Sequence, residues 1–170
     1  NENMSLNAAY FDSEQVRAER DNDTGETSEV RGLTVDGFEI ELKGRVADSL
    51  NLAIAYSDLS GETSSGGIPR EIPEHTLSAF AAWEVNEKLS VALGLTQQGE
   101  SKIKDNTPGL VLPEYTRVDL SAYYQVAPNL SVQMNVENLM DELYFPHSHS
   151  THQASVGESV NSRVSLRWTY

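Results

Sequence analysis

Three histidines near the end of the chain are the side chains whose spacing points most directly to chemistry. His147, His149 and His152 fall within six residues, in the segment Phe145-Pro-His-Ser-His-Ser-Thr-His-Gln153. Imidazoles this close together can share a zinc, copper or nickel ion, or line a vestibule for a metal-loaded ligand. The spacing is not that of a formed structural zinc site, and the chain has no cysteine that would complete one. The segment is therefore interpreted either as a metal site or as a polar surface loop.

No pattern typical of catalysis accompanies these histidines. His75 is isolated in the sequence, and neither a Gly-x-Ser-x-Gly elbow nor a Ser-His-Asp order is present. The chain carries 26 acidic residues against 12 basic ones, for a formal charge of −14. Nucleic-acid binding needs clustered lysines and arginines to neutralise phosphates, so this balance excludes it. The sequence predicts no enzyme and no nucleic-acid-binding protein.

The segments that position these residues are predicted to be β-strands, because apolar side chains recur at every second position along most of the chain. A strand points successive side chains to opposite faces, so each segment has one apolar face and one polar face. A change of parity at Asp36-Gly37 predicts a β-bulge in the second strand. The cleanest alternation is in the last stretch, whose apolar side comprises Val160, Val164, Leu166, Trp168 and Tyr170. Eight strands are predicted, at about 3–14, 33–43, 50–57, 77–85, 89–95, 118–126, 130–137 and 159–170.

The connections between these strands alternate strictly between long and short. Segments 15–28, 58–74, 97–113 and 138–158 are long and polar, whereas 44–48, 86–87 and 127–129 are tight turns. Outer-membrane barrels have short periplasmic turns and long extracellular loops, whereas a soluble sandwich has no reason to sort its loops in this way. Twelve residues of strand extend for about 40 Å and, tilted by about 45°, span about 28 Å of membrane. The pattern predicts transmembrane strands.

Composition agrees with a transmembrane β-barrel better than with a helical membrane protein. Mean hydropathy is −0.45 and no run of eighteen apolar residues occurs. The strand directions gather Trp83, Tyr124, Trp168 and Tyr170 near the periplasmic interface, and Tyr10, Tyr56 and Tyr115 near the outer one. The charged residues of the strands then point inward: Glu39, Glu41, Lys43, Arg117, Asp119, Glu137, Arg163 and Arg167.

Two other interpretations remain open at this point. Eight strands can close by themselves, so the chain could form a complete small outer-membrane barrel with a structural or adhesive role. A soluble β-sandwich that acts as a binding module is a third possibility. Pairing of 3–14 with 159–170 would favour the small closed barrel.

The first residues, 1–5, contain neither a basic nor an apolar region of a signal peptide.

Several short segments, in order, resemble TonB-dependent outer-membrane receptors. The stretch Val136-Glu-Asn-Leu-Met-Asp-Glu-Leu-Tyr144, followed by a loop and a final alternating strand, is similar to the C-terminus of that family. Gly37-Phe-Glu-Ile-Glu41, the Ala-Tyr-Ser end of the strand from Leu50 to Ser57, and Ile72-Pro-Glu-His-Thr76 resemble further family segments. The spacing agrees along nearly all 170 residues.

The resemblance implies a 22-stranded barrel around an N-terminal plug, which imports a ferric siderophore or similar scarce nutrient. Residues 1–170 would supply the last eight strands, with no plug domain. The implied partners are the remainder of the receptor chain, the TonB complex through the missing plug, the outer-membrane lipid and lipopolysaccharide, and the barrel-assembly machinery. No cofactor is implied beyond the transported ferric siderophore. Trp168 and Tyr170 would be an interfacial anchor and assembly signal, although the family more often ends in Phe or Trp.

The resemblance also implies that residues of the outer loops could contact the transported ligand. The outer loops are mostly acidic, which argues against a main capture surface for an anionic siderophore, and their acids could instead bind cations that bridge to lipopolysaccharide phosphates. Arg70, Lys102 and Lys104 are the few basic loop residues that could assist binding, and Tyr115, Tyr144 and Phe145 could stack on an aromatic ligand.

Overall fold

The structure is a computed structural model that describes residues 3–104, 107 and 109–170, without the side chains of residues 19, 30, 31 and 150. Among these residues, no helix reaches the length and apolar character needed to cross a bilayer. The strands are β1 (Met4–Arg20), β2 (Thr27–Ala47), β3 (Leu50–Thr63), β4 (His75–Glu84), β5 (Leu89–Gln98), β6 (Ser101–Lys102), β7 (Val111–Leu112), β8 (Tyr115–Ala127), β9 (Leu130–Glu137), β10 (His147–Ser150), β11 (Gln153–Ser155) and β12 (Asn161–Trp168).

Eight of these strands form one antiparallel sheet, in the order β1-β2-β3-β4-β5-β8-β9-β12. Each strand pairs with the next long strand in the sequence, so the sheet is an up-and-down meander. The remaining strands form two small hairpins, β6 with β7 and β10 with β11, inside the connections 99–114 and 138–160. The eight predicted strands are therefore all present in one sheet.

The sheet is open, because β1 and β12 are its two edges and are not neighbours in the described part of the chain. Its apolar face also lacks a covering layer: Leu166 is 72% exposed and Val164 is 62% exposed. A soluble sandwich would bury such a face against a second sheet. The topology therefore supports a partial arc of a larger barrel, and it argues against both the closed eight-stranded barrel and the sandwich.

The first hairpin extends well beyond its predicted length. Residues 15–20 and 27–28, predicted as loop, are paired, and only 21–26 connect β1 to β2. β3 likewise continues to Thr63, into the predicted loop 58–74. Backbone hydrogen bonds hold these extensions together, and strands that project beyond the membrane need no apolar face. Alternation of side chains therefore does not reveal where they end.

The predicted bulge at Asp36-Gly37 is wrong. Gly37 pairs with Phe11 in regular register, and the register shifts instead between Gln15 and Val16, where Gly32 is the extra residue of β2. Gly37 is buried, and a Cβ there would overlap the backbone of Asp58 on β3. A glycine that permits close backbone approach gives the same sequence signal as one in a bulge.

Candidate functional site

Three connections meet at the end of the sheet that carries the long loops, and Glu71 joins them. Its backbone amide donates to the carbonyl oxygen of Lys102 over 2.8 Å. Its Oε1 accepts from the backbone amide and the hydroxyl of Ser148, at 2.9 and 3.2 Å. Its Oε2 accepts from Nη2 of Arg70 at 3.0 Å. One residue therefore connects the segments 64–74, 99–114 and 138–158.

The environment of Glu71 favours its ionised form. The hydrogen bond from the Ser148 backbone amide, followed by the interaction with Arg70, lowers the pKa of Glu71 below its usual value, and burial opposes this effect. Ser148 is only 3% exposed, so its amide would lose a needed acceptor if the carboxylate left. Glu71 also has a positive φ of 56°, which is uncommon for a residue with a side chain. The junction is therefore held in place by its surroundings.

Asn138 organises the last long connection from inside. Its Nδ2 donates to the carbonyl oxygens of Glu142 and Glu158, both at 2.9 Å, and its Oδ1 accepts from the Glu142 amide at 2.9 Å. Its own amide donates to Oδ1 of Asp119 at 2.9 Å. The residue is 1% exposed with a φ of 53°, a left-handed conformation that asparagine tolerates better than most residues.

The remaining polar residues of the Asn-Leu-x-Asp-x-x-Tyr segment also have structural partners. Oδ1 of Asp141 accepts from the amide of Val160, immediately before β12, at 2.9 Å. The backbone of Tyr144 accepts from the amide of Gly157 at 2.8 Å, and a Cβ at Gly157 would overlap the Tyr144 ring. These contacts fix the path by which the chain leaves β9 and enters β12.

Tyr144 and Tyr115 form a small buried cluster with Arg117. Their ring centroids lie 4.8 Å apart, and the two residues are 7% and 8% exposed. Nη1 of Arg117 donates to the Tyr144 hydroxyl at 3.2 Å, while Nη2 lies 2.9 Å from Oδ2 of Asp119. Arg117 and Asp119, predicted to point inward, therefore anchor the folded-back connection on the polar face of the sheet.

The predicted ligand-contacting residues differ in their accessibility. Arg70 and Lys102 are brought together by a parallel bridge between their backbones, and Lys102 Nζ lies 2.8 Å from Oε1 of Glu100. Lys104 is exposed and Phe145 is half-buried. By contrast, the rings of Tyr115 and Tyr144 pack on each other and present no open face for stacking.

The three clustered histidines are not gathered around one point. Nε2 of His147 lies 2.9 Å from the hydroxyl of Ser155 across the β10–β11 hairpin, while the rings of His149 and His152 have centroids 6.4 Å apart. In the part of the chain that the structure describes, no group of three His, Asp or Glu side chains is arranged to hold a metal ion. The structure therefore gives no support to the expected three-histidine metal site.

At the opposite end of the sheet, Trp168 and Tyr170 lie close together, with ring centroids 6.2 Å apart. Both are exposed, Trp168 at 68%. Trp168 pairs in register with Leu130 of β9, on the apolar face. This placement is suited to an aromatic anchor at a membrane interface.

Sequence reasoning missed the residues that join the loops. It interpreted Glu71 only as one of the outer-loop acids, solvated or bridging cations to lipopolysaccharide, and gave no role to Ser148, which lies 77 residues away. Asn138 was noticed only as part of a resemblance, although an Asn followed three residues later by Asp141 is typical of a tight turn and could have suggested a structural role. His75, isolated in the sequence, stacks on Tyr56 with ring centroids 6.4 Å apart.

Comparison with known proteins places this architecture in a family. A family model described as "TonB dependent receptor-like, beta-barrel" matches residues 1–139. The chain is 25% identical to the probable TonB-dependent siderophore receptor PiuA of Acinetobacter baumannii and 27% identical to the metal-pseudopaline receptor CntO of Pseudomonas aeruginosa. Both matches cover 98% of this chain and 25% of the relative, so the chain spans about a quarter of the length of these proteins.

Solved structures agree with the sequence relatives. The ferripyoverdine receptor of the outer membrane of Pseudomonas aeruginosa superposes with a TM-score of 0.80 at 26% identity, over 98% of this chain and 25% of the other. The ferric preacinetobactin receptor BauA of Acinetobacter baumannii has a TM-score of 0.82 at 17% identity, over 98% of this chain and 27% of that one, and supports the fold alone.

Proposed function

The chain belongs to the TonB-dependent receptor β-barrel family, and from this premise we propose that it forms the C-terminal quarter of a receptor that imports a ferric siderophore. The family consists of outer-membrane receptors, not enzymes, so the chain is a segment of an outer-membrane barrel. The observation that carries the proposal is the similarity to siderophore receptors along 98% of the chain.

The proposed whole protein needs partners that residues 1–170 do not include. A plug and the N-terminal strands would complete the barrel, and the plug would contact the TonB complex. Lipid and lipopolysaccharide would cover the apolar face, and the barrel-assembly machinery would recognise the end of β12 at Trp168 and Tyr170. The open edges of β1 and β12 support the proposal that further strands complete the barrel, because each edge would pair with a strand outside these residues.

Within this function, we assign the loop residues that are at least partly exposed to the cargo surface. Arg70, Lys102, Lys104 and Phe145 are positioned on the joined connections and are the proposed contacts. The buried pair of Tyr115 and Tyr144 is proposed to brace the loops instead, because its rings already pack on each other.

Transport can be tested by deleting the gene that encodes this chain in its own bacterium and complementing it. Uptake of ⁵⁵Fe is measured for a panel of ferric chelates under iron limitation, with and without an active TonB complex. We expect deletion to abolish uptake of at least one chelate and the restored gene to recover it in a TonB-dependent manner. Unchanged uptake of every chelate would contradict the proposal.

A second cargo, a chelate of a metal other than iron, is favoured by two specific observations. One relative, at 27% identity, is named as a metal-pseudopaline receptor. In addition, the rings of His149 and His152 have centroids 6.4 Å apart on the β10–β11 hairpin, where they could contact a metal-loaded ligand. The same strains should be assayed with ⁶³Ni and ⁶⁵Zn chelates. Loss of these activities, with ⁵⁵Fe uptake intact, would favour this second cargo.

A further inference from the structure

A polar cavity of about 400 Å³ opens where the β1–β2 hairpin meets the turn after β3. Its lining includes Gln15, Arg17, Thr63, Ser64, Ser65 and Arg70, so two of the twelve basic residues of the chain meet here. No Asp or Glu is among the described lining residues, although acids outnumber bases in the chain by 26 to 12. The cavity therefore differs in charge from the outer loops around it.

The cavity lies on the polar face of the sheet. Arg17 and Gln15 share the parity of Asn7 on β1, whose Nδ2 donates to Oε2 of Glu41 on the polar face. The register shift adds Gly32 to β2, opposite β1, so the parity of β1 continues unbroken to Arg17. In a closed barrel this face surrounds the interior, and its outer end opens to the vestibule through which cargo enters.

One wall of the cavity is a rigid turn at the end of β3. The amide of Thr63 donates to the carbonyl oxygen of Gly67 at 2.8 Å, and the amide of Gly66 donates to the carbonyl oxygen of Thr63 at 2.9 Å. The Gly67 amide also donates to the Thr63 hydroxyl at 3.1 Å, and the hydroxyls of Thr63 and Ser65 lie 3.1 Å apart. These contacts hold the turn in one conformation before any ligand arrives, which reduces the entropy lost on binding.

The basic residues are positioned by the surrounding structure. Nη2 of Arg70 lies 3.0 Å from Oε2 of Glu71, whose other oxygen is bound by Ser148. Arg17 lies beside the register shift, with its Cγ 4.0 Å from the Cβ position of Gly32, where a side chain would clash with the backbone of Gln15. Bulges commonly re-aim side chains in this way. Glu71 offsets part of the charge of Arg70 and also holds its side chain at the cavity.

We infer that this cavity is a subsite for a cluster of anionic oxygens, such as the catecholate or carboxylate oxygens of a negatively charged metal chelate. Guanidinium groups bind paired oxygens through two parallel hydrogen bonds, and the Ser64 hydroxyl in the lining can donate a further one. The identity of the ligand as cargo rests on the proposed transport function. Lipopolysaccharide phosphates have the same chemistry, but the polar-face position of the cavity favours cargo.

The inference is tested on the purified whole receptor in detergent by isothermal titration calorimetry. The probes are inorganic pyrophosphate, the ferric complex of a hexadentate tris-catecholate, which carries three negative charges, and the neutral ferric complex of a hexadentate tris-hydroxamate. The R17Q/R70Q double variant should bind pyrophosphate, and any anionic chelate that the unchanged receptor binds, with at least tenfold lower affinity. Its affinity for the neutral chelate, if the receptor binds it, should change less than twofold. R163Q, which removes a charge from β12, is the matched control and should bind like the unchanged receptor.

Each outcome decides a different point. If the unchanged receptor shows no saturable binding of pyrophosphate, or if R163Q weakens it as much as the double variant does, the subsite is overturned. A loss confined to lipopolysaccharide in mixed micelles, with pyrophosphate and chelates unaffected, would overturn the cargo assignment. If pyrophosphate binding depends on both arginines but gene deletion leaves uptake of every chelate unchanged, the subsite stands as an anion site and the transport proposal fails.

Discussion

At the scale of single residues, Glu71 determines how the outer connections meet. Its carboxylate and amide make four hydrogen bonds, one to the neighbouring Arg70 and three to two segments that are remote in the sequence, at Lys102 and Ser148. No local pattern encodes these contacts. They arise because the pairing of the strands brings the ends of three loops close together. The acidic composition of the loops predicted solvated acids and did not distinguish Glu71, whose carboxylate is hydrogen-bonded to a remote segment.

The docking of the last connection should depend on pH through Glu71. Because its folded-state pKa is lowered, its contribution to stability is present above the usual glutamate pKa of about 4.3 and is lost as the pH falls through the lowered value. Hydrogen exchange at the Ser148 amide, corrected for intrinsic rates, should therefore accelerate only at acidic pH. Exchange that is protected equally at all pH values would contradict this expectation.

The E71Q variant tests the charge itself. It keeps an oxygen acceptor for Ser148 but removes the charge that strengthens the bonds, which should cost about 1 kcal/mol of docking free energy. Ser148 exchange at neutral pH should rise about fivefold and lose its pH dependence. E87Q, in the short turn between β4 and β5, changes the same charge far from the junction and should leave the exchange of Ser148 as it was.

Asn138 should be the least replaceable residue of the last connection. N138A removes three side-chain hydrogen bonds from a buried position and places a Cβ-bearing residue without a polar side chain at a positive φ. We expect a loss of about 2–4 kcal/mol of local stability. Limited proteolysis should then cut within 138–158 while the barrel strands stay intact. Resistance equal to that of the unchanged receptor would show that the network is dispensable.

The N138G variant separates the loss of the side-chain hydrogen bonds from the strain of a side chain at positive φ. Glycine accepts the positive φ but lacks the amide group, so N138G should recover the backbone part of the loss and none of the hydrogen bonds.

The segment 138–144 was recognisable in the sequence as a family pattern, but the pattern did not reveal its structural role. The structure shows that its Asn, Asp and Tyr fix the chain between β9 and β12.

At the scale of strands, the sequence predicted which segments form the sheet but not where they end. Alternation located all eight long strands, because successive side chains of a membrane strand point in turn to the lipid and to the barrel interior, so apolar residues recur at every second position. It failed for residues 15–20 of β1 and for 58–63 of β3, where apolar side chains are too few to make an alternation visible and pairing follows from the neighbouring strand. It also placed the bulge at Gly37, since two physical reasons for glycine look alike in sequence.

β12 offers a direct test of which face contacts lipid. Leu166 pairs with Val132 on the apolar face, whereas the adjacent Ser165 pairs with Gln133 on the polar face. An arginine on the lipid side near mid-depth costs about 2–4 kcal/mol, and one on the interior side is tolerated. L166R should therefore reduce heat-resistant folded receptor in the outer membrane, and S165R should not. Equal loss from both substitutions would contradict the assigned orientation.

At the scale of the whole molecule, the described residues form an arc that cannot satisfy its own backbone. The edges at β1 and β12 each present a row of amide and carbonyl groups to a strand that lies outside these residues. Among the described residues, the buried apolar side chains are few, and they lie in the region of the outer connections: Pro69, Leu112, Tyr115 and Tyr144. Stability of the sheet must therefore come from the rest of the barrel and from lipid.

This architecture predicts the behaviour of residues 1–170 produced alone. Unpaired edges and an exposed apolar face should drive self-association, because pairing with a second copy is the available means of satisfying the edge hydrogen bonds. Size-exclusion chromatography with light scattering should show oligomers or aggregates in aqueous buffer. The whole receptor should be uniform in detergent, since its edges are paired. A monodisperse monomer of residues 1–170 in aqueous buffer would mean that the arc closes or is covered by itself, and would refute the open-arc description.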